Sequence, residues 1–353
     1  MNTNEIIKKK RDGLALSKQE IDYLINGFTD GSVPDYQMAA FLMSVYFKGM
    51  DARECADLTL SIVNSGATVD LSPIEGFKID KHSTGGVGDK TTLVLAPLVA
   101  SCGVVVPKMS GRELGHTGGT IDKLESIPGM RTDFSEDQFI DITNRVHMSI
   151  IGQTQSLAPA DKLIYALRNV TATVDAIPFI ASSIMIKKLA AGADGIVLDV
   201  KTGTGAFTPS FEDAVRLAKT MVGIGVAAGK KITALITGME EPLGYAIGNA
   251  VEVREAIDTL NGKGPADLTE MVLALGSEML FLSGVTSSRQ AAREKLNAQL
   301  INNVAARQFK AFIQAQGGRA EVVDKTDLLP KSRAVIPVES PCSGFVRGIN
   351  AFE

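Results

Sequence analysis

Cysteine and histidine are scarce in this 353-residue chain, with three of each, and no unbroken apolar run reaches membrane-spanning length. Cys55, Cys102 and Cys342 are odd in number, far apart and without metal-ligand spacing. That excludes a disulfide framework and reads as buried thiols in a reducing compartment. His82, His116 and His147 show neither HxH nor HxxxH spacing, so no zinc site is expected. The most apolar stretch, LVLAPLVASCGVVV (93–106), is broken by Pro97 and Gly103 and is too short for a bilayer. The N-terminus has no signal-peptide apolar region, and a cytoplasmic protein is expected. An excess of basic charge is missing as well. Net charge is −4, the pI is near 5.6, and residues 8–11 form the one basic run. Nucleic acid and membrane are therefore excluded as partners, which leaves small molecules.

What is present is an ordinary globular composition, 45% hydrophobic and 22% charged, long enough for two to three domains. Residues 1–66 carry helical patterning. Capping boxes, Ser17 with Glu20 and Asp51 with Glu54, open KQEIDYLING and ARECADLTLSIVNSG, and each segment ends in glycine. After Pro73, short β-prone runs alternate with amphipathic stretches: FKID (77–80), GVVVPK (103–108), GIVLDV (195–200), KITALIT (231–237) and AEVVD (320–324). That alternation predicts an α/β fold, a small helical lobe beside a large α/β lobe with a mostly parallel sheet. Residues 159–192 read as helix, Thr-rich loop and helix closed by Gly192, a return to the helical lobe. The expected division is 1–68 with 157–192 against 73–156 with 193–330, with a ligand cleft between the lobes.

The segment KIDKHSTGGVGDKTT (78–92) is neither a P-loop nor a G-x-G-x-x-G fingerprint, because Asp89 separates Gly88 from Lys90. Its glycines, hydroxyls and lysines suit an oxyanion. KMSGRELGHTGGT (108–120) echoes it after a second strand. One such loop could be a plain tight turn, whereas two can grip one phosphate from both sides. A third glycine loop, DVKTGTGAF (199–207), is expected to shape the sheet edge. His82, between Lys81 and Ser83, suits a general acid whose protonation is coupled to phosphate binding. His116 lies in the second loop, and His147 reads as an ordinary helical residue in NRVHMSI. In the returning helices Tyr165 and Arg168 are three apart, and Ser183 and Lys187 four apart, so each pair shares a face. They offer donors and one acceptor to a flat heterocycle bearing carbonyl oxygens, with Tyr165 lining its face. A solvated helix surface would carry the same residues; the adjacent apolar run AIPFIASSIMI favours the border of a pocket.

KHSTGGVGDKTT, SGRELGHTGGTIDKLESIPG, YALRNVTATVDAIPFIASSIMIKKLAAGADGIVLDVKTGTGAF and GNAVEVREAI resemble the thymidine and pyrimidine-nucleoside phosphorylase family over nearly the whole chain. The resemblance implies a homodimer joined through the helical side, closing over nucleoside and phosphate, and reversible phosphorolysis without an organic cofactor. It places phosphate on Lys81, Ser83, Thr92, Lys108, Ser110 and Thr120. It places the pyrimidine on His82, Tyr165, Arg168, Ser183 and Lys187, with His82, Arg168 and Lys187 catalytic. It also implies one potassium ion (K+) between the lobes at Gly88, Lys90, Leu243, Ala246 and Glu255, bound mostly by backbone carbonyls and by the Glu255 carboxylate. An ammonium at position 90 would repel or replace that ion unless it points away. Lysine at 108 is the family's mark of enzymes that accept both uridine and thymidine. The family continues into a C-terminal α+β domain, of which residues 331–353 would be the truncated start. Two other readings stay open: an anthranilate-type phosphoribosyltransferase, which needs magnesium and an adjacent Asp-Glu pair suitably placed for it, which is not seen here, and a non-catalytic binding protein.

Overall fold

The computed structural model describes residues 1–112, 117–152 and 158–350. In chain order it contains α1 (Thr3–Arg11), α2 (Lys18–Asp30), α3 (Asp35–Lys48), α4 (Ala52–Val63), β1 (Ile79–Ser83), α5 (Thr91–Ala100), β2 (Val106–Ser110), α6 (Thr120–Glu125), α7 (Glu136–Val146) and β3 (Met148–Gly152). There follow α8 (Pro159–Val170), α9 (Ile177–Ala190), β4 (Gly195–Thr202), α10 (Phe211–Ala227), β5 (Lys231–Gly238), α11 (Asn249–Leu260), α12 (Ala266–Ser283), α13 (Arg289–Ile301) and α14 (Val304–Ala315). Among the described residues no helix is long and apolar enough to cross a membrane.

Two compact units emerge. The first comprises Met1–Ser72, the described part of Gln153–Leu198, and Glu212–Ala234. Both expected capping boxes form, with Ser17 and Asp51 each accepting from the backbone three residues on while Glu20 and Glu54 reach back. Glu54 does more than cap. Its carboxylate also takes the Leu16 N–H at 2.8 Å and the buried Lys10 ammonium at 2.8 and 2.9 Å, tying α1 to α4. The helix ends differ from expectation. α2 runs through Gly27 to a left-handed Gly31, and α4 stops at Asn64 rather than Gly66. Helices α8 and α9 pack on α2, α3 and α4, as a returning segment should. Residues 193–198 and 212–234, expected in the α/β lobe, belong here too: α10 lies on β5 through Gly225, where a Cβ would come within 2.6 Å of Ile232.

The second unit comprises Pro73–Gly152, Asp199–Phe211 and the described part of Leu235–Glu353. Its centre is α5, buried at every residue except Thr92, as a helix apolar on all sides must be. Helices α11 to α14 surround it. Strands β2 and β3 pair in parallel from Val106 opposite Met148 to Ser110 opposite Gly152. β1, β4 and β5 form a second sheet in the order β1-β4-β5, and a parallel bridge from Lys78 to Val105 joins β1 to the strand beside it. β3 corrects the helical reading of NRVHMSI: α7 ends at Val146, His147 is its left-handed cap with φ 56°, and the strand starts at Met148. AEVVD is a 3-10 turn (Ala320–Val323), not a strand; Val322 and Val323 are both buried, which an alternating strand does not allow. Residues 331–350 are exposed and hold neither helix nor strand.

Candidate active site

Alternation along β1 puts Lys81 and Ser83 on one face and Asp80 and His82 on the other. Lys81 and Ser83 both turn to the glycine loop that follows, where Ser83 Oγ donates to Asp89 and accepts the Gly85 N–H at 3.2 Å. The loop feeds α5, where Asp89 Oδ1 takes the Thr91 N–H at 3.1 Å and Lys90 O the Leu93 N–H at 2.9 Å, and half-buried Thr92 stands at the second position. What this helix start offers an anion is Thr92. Lys81 Nζ pairs with Asp199 Oδ2 at 2.8 Å and lies 3.8 Å from Asp89, and a buried ammonium with three hydrogens keeps some of them for a further acceptor. Lys201 meets the same Asp199 oxygen at 3.0 Å, and Lys123 reaches the Asp89 carbonyl and Glu252, each at 2.7 Å.

Burial alone would raise the two aspartates. The surrounding lysines outweigh it, holding Asp89 well below the usual carboxylate range and Asp199 below it. Burial would likewise lower Lys81, but Asp199 and Asp89 hold it above its ordinary value. The segment 199–207, expected to be a glycine loop that shapes the sheet edge, begins within β4, and its strand residue Asp199 supplies the counter-charge to Lys81.

Of the second loop, Lys108 on β2 is buried and donates to Asp80 at 3.0 Å and to the Lys81 carbonyl at 2.5 Å. It braces the strand that carries the first lysine. Ser110 closes β2, and Thr120 opens α6 after Gly119. His116 lies outside the described residues.

Lys90 points inward. Its Nζ donates to the carbonyls of Leu243 and Ala246, each at 2.7 Å, and to the Glu255 carboxylate. Together with Gly88 this is the set expected around potassium, and an ammonium already fills it; the residues as they stand do not fit a second cation.

In the first unit α8 and α9 bring Tyr165, Arg168 and Ser183 together, whereas His82 belongs to the second unit. Arg168 is buried, with its guanidinium carbon 5.6 Å from the Tyr165 ring centre and 5.2 Å from that of Phe179. Nε donates to Thr173 O at 3.4 Å, Nη1 to Phe179 O at 3.3 Å and Ser183 Oγ at 3.0 Å, and Nη2 to Val174 O at 2.6 Å. Of five guanidinium hydrogens, four are used and one on Nη2 is left. Ser183 passes a hydrogen bond to Asp161 at 2.9 Å. Burial raises Asp161 above its ordinary value, against the pull of Lys187, Ser183 and Arg168, and burial lowers Arg168. Lys187 and Tyr165 are exposed, and His82 and Ser183 half-buried. Asp161 was not among the sequence candidates, although its spacing of four from Tyr165 and seven from Arg168 sets all three on one helix face. Asp89, Asp199, Lys201 and Lys123 were missed too, since acids in an anion site look misplaced until their lysine partners are seen.

Two family profiles match. The glycosyl transferase family helical bundle domain covers residues 4–66, and the glycosyl transferase family a/b domain covers 75–306. The chain is 56% identical over 351 residues to a pyrimidine-nucleoside phosphorylase of Geobacillus stearothermophilus, spanning 99% of this chain and 81% of the relative. It is 55% identical over 353 residues to that of Bacillus subtilis, spanning 100% and 82%. Among solved structures, anthranilate phosphoribosyltransferase from Thermus thermophilus superposes with a TM-score of 0.69, covering 88% of this chain and 99% of that one at 18% identity, a likeness of fold.

Proposed function

The chain belongs to the pyrimidine-nucleoside phosphorylases of the glycosyl transferase family, and we propose that it divides their reaction between the two sets of side chains described above. The reaction is reversible phosphorolysis: phosphate displaces the base from C1′ of a pyrimidine nucleoside and yields free pyrimidine and α-(deoxy)ribose 1-phosphate. The observation that carries it is 56% identity over 99% of the chain.

As the glycosidic bond lengthens, negative charge gathers on the base and positive charge on the sugar. The spare Nη2 hydrogen of Arg168, the exposed Lys187 ammonium and protonated His82 stabilise the first, with Tyr165 along the ring and Ser183 fixing the guanidinium. Donors already in place cost no reorganisation as the charge develops. Phosphate is held by Lys81, Ser83, the start of α5 with Thr92, and by Ser110 and Thr120. Support comes from Lys81, whose buried ammonium has hydrogens to offer. Lys108 acts by fixing the Lys81 backbone and, through water, by supporting a ribose 2′-hydroxyl. Uridine, deoxyuridine and thymidine are the substrates in this reading. No covalent enzyme intermediate is required, and positioning supplies a large share of the rate.

A homodimer through the helical unit completes the reading, supported by exposed Tyr36, Tyr46 and Phe47 on α3. A reducing, cytoplasmic setting is supported by three free thiols, of which Cys55 and Cys102 are buried and pushed up to about 12 and about 11, whereas Cys342, expected to be buried, is exposed. The test is the absorbance change on mixing the purified chain with uridine and phosphate, with and without a magnesium chelator. Phosphate-dependent, chelator-insensitive conversion is expected. No conversion, or a requirement for magnesium, overturns the reading.

A further inference from the structure

A primary ammonium has three hydrogens, and buried Lys90 gives all of them to oxygen acceptors: Leu243 O, Ala246 O and the Glu255 carboxylate. The acceptors are held in place. Glu255 also receives the N–H of Tyr245 at 2.9 Å and of Ala246 at 3.2 Å, so residues 243–246 wrap around one positive and one negative charge. That wrap requires Gly244, with φ 69°, where a Cβ would stand 2.3 Å from the Glu255 carboxylate and 3.1 Å from the Lys90 ammonium. On the other side Gly88, with φ 73°, lets the glycine loop approach so closely that a Cβ would lie 2.9 Å from Leu243 O. Its carbonyl takes the Lys90 N–H at 2.8 Å, and Val87 O takes the Leu243 N–H at 3.2 Å. The loop that carries Asp89 and leads into α5 is therefore stitched to residues 243–246 around a single cation.

Two carbonyls and a carboxylate make an oxygen shell suited to a hard monovalent cation. Potassium and ammonium have nearly equal radii, and here the ammonium is tethered to the chain. A second positive charge in the same shell would lie against Nζ and be repelled. We propose that Lys90 is a built-in monovalent cation that takes the place of potassium among Leu243, Ala246 and Glu255, beside Gly88, so that this chain holds its phosphate loop without any added alkali ion. Lys90→Ala then uncovers a latent potassium site. The inference rests on the loop geometry and does not depend on which reaction the chain catalyses.

The test compares wild type, Lys90→Ala and Lys90→Met in tetramethylammonium buffer at fixed ionic strength, before and after potassium, ammonium or lithium chloride, reading Tm and phosphorolysis rate. Wild type should be indifferent to all three salts. Lys90→Ala should melt about 5–10 °C lower, as stranding a buried carboxylate implies, and should recover with potassium or ammonium more than with lithium. Lys90→Met fills the space with an apolar chain and should fall without recovering. A several-fold potassium activation or a potassium-dependent Tm in wild type overturns the proposal. So does a Lys90→Ala protein that matches wild type without potassium, or that no cation restores. Should Lys90→Ala fail to fold, the wild-type salt series alone decides. Loss of all phosphorolysis in wild type would count against the proposed reaction while leaving the Tm comparison intact.

Discussion

Arg168 donates to Ser183 at 3.0 Å, and through that hydroxyl a buried guanidinium communicates with Asp161 without touching it. Three backbone carbonyls complete its surroundings, so its orientation is fixed before any ligand arrives. Arg168→Ala should lower kcat with every pyrimidine nucleoside by about 10²–10³, the usual loss for one transition-state donor, and leave phosphate affinity nearly intact. Arg168→Lys should recover little, because an ammonium cannot reproduce the planar fork. Calorimetric phosphate binding beside steady-state kinetics checks this; an equal loss of phosphate affinity places Arg168 in another role.

Lys81 is a buried cation paired with Asp199 that keeps hydrogens for a further acceptor. Lys81→Ala should remove a charge-assisted contact of about 1.5–3 kcal/mol, roughly tenfold or more in kcat/KM for phosphate. Saturation curves in phosphate at fixed uridine measure it, and a wild-type kcat/KM would remove Lys81 from the phosphate site.

The lysine and aspartate cluster makes stability depend on pH at both ends. Asp89 and Asp199 have folded values below their ordinary 3.8, so their contribution is complete above about pH 4 and is lost as pH falls through the folded values. Lys81 is raised above 10.5, so its contribution is complete below that pH and is lost as pH rises through the folded value. Urea unfolding of wild type and Asp89→Asn from acid to neutral pH should show a shallower acid loss in the variant. Identical slopes would mean that Asp89 is not depressed.

Substrate breadth follows from the donors proposed to surround the pyrimidine. Uridine and thymidine should both be cleaved, whereas cytidine presents its 4-amino donor to Arg168 and Lys187 and should be poor. Mismatched polar groups of this kind discriminate by as much as about 10⁴. Competition among the three nucleosides at equal concentration measures it. Exclusive use of thymidine, or cytidine cleaved as fast as uridine, contradicts the assignment.

Local chemistry was legible in the sequence where the interaction spans a few residues. The capping boxes at Ser17 and Asp51 formed because a side chain and a backbone group three residues apart suffice. β3 is not legible because MSIIG, five residues directly after a helix, carries little alternation, and its identity comes from parallel pairing with β2. The run AEVVD has strand propensity, yet no partner strand adjoins it among the described residues, and turn hydrogen bonds prevail. In the candidate site, Tyr165, Arg168 and Ser183 were readable from helical spacing. The direction of Lys90 was not, since its acceptors are backbone carbonyls 153 and 156 residues away. The Asp199 contact to Lys81 is equally non-local, and it decides whether that lysine is free to meet an anion.

The central claim is that phosphate, not water, takes the sugar from the base. Phosphorus NMR of the full chain with uridine and inorganic phosphate tests it directly, with uracil counted in the same sample. A new sugar-phosphate resonance rising in one-to-one proportion with uracil, and falling when uracil is added back, is the predicted result; uracil released without that resonance, or no uracil at all, would contradict it.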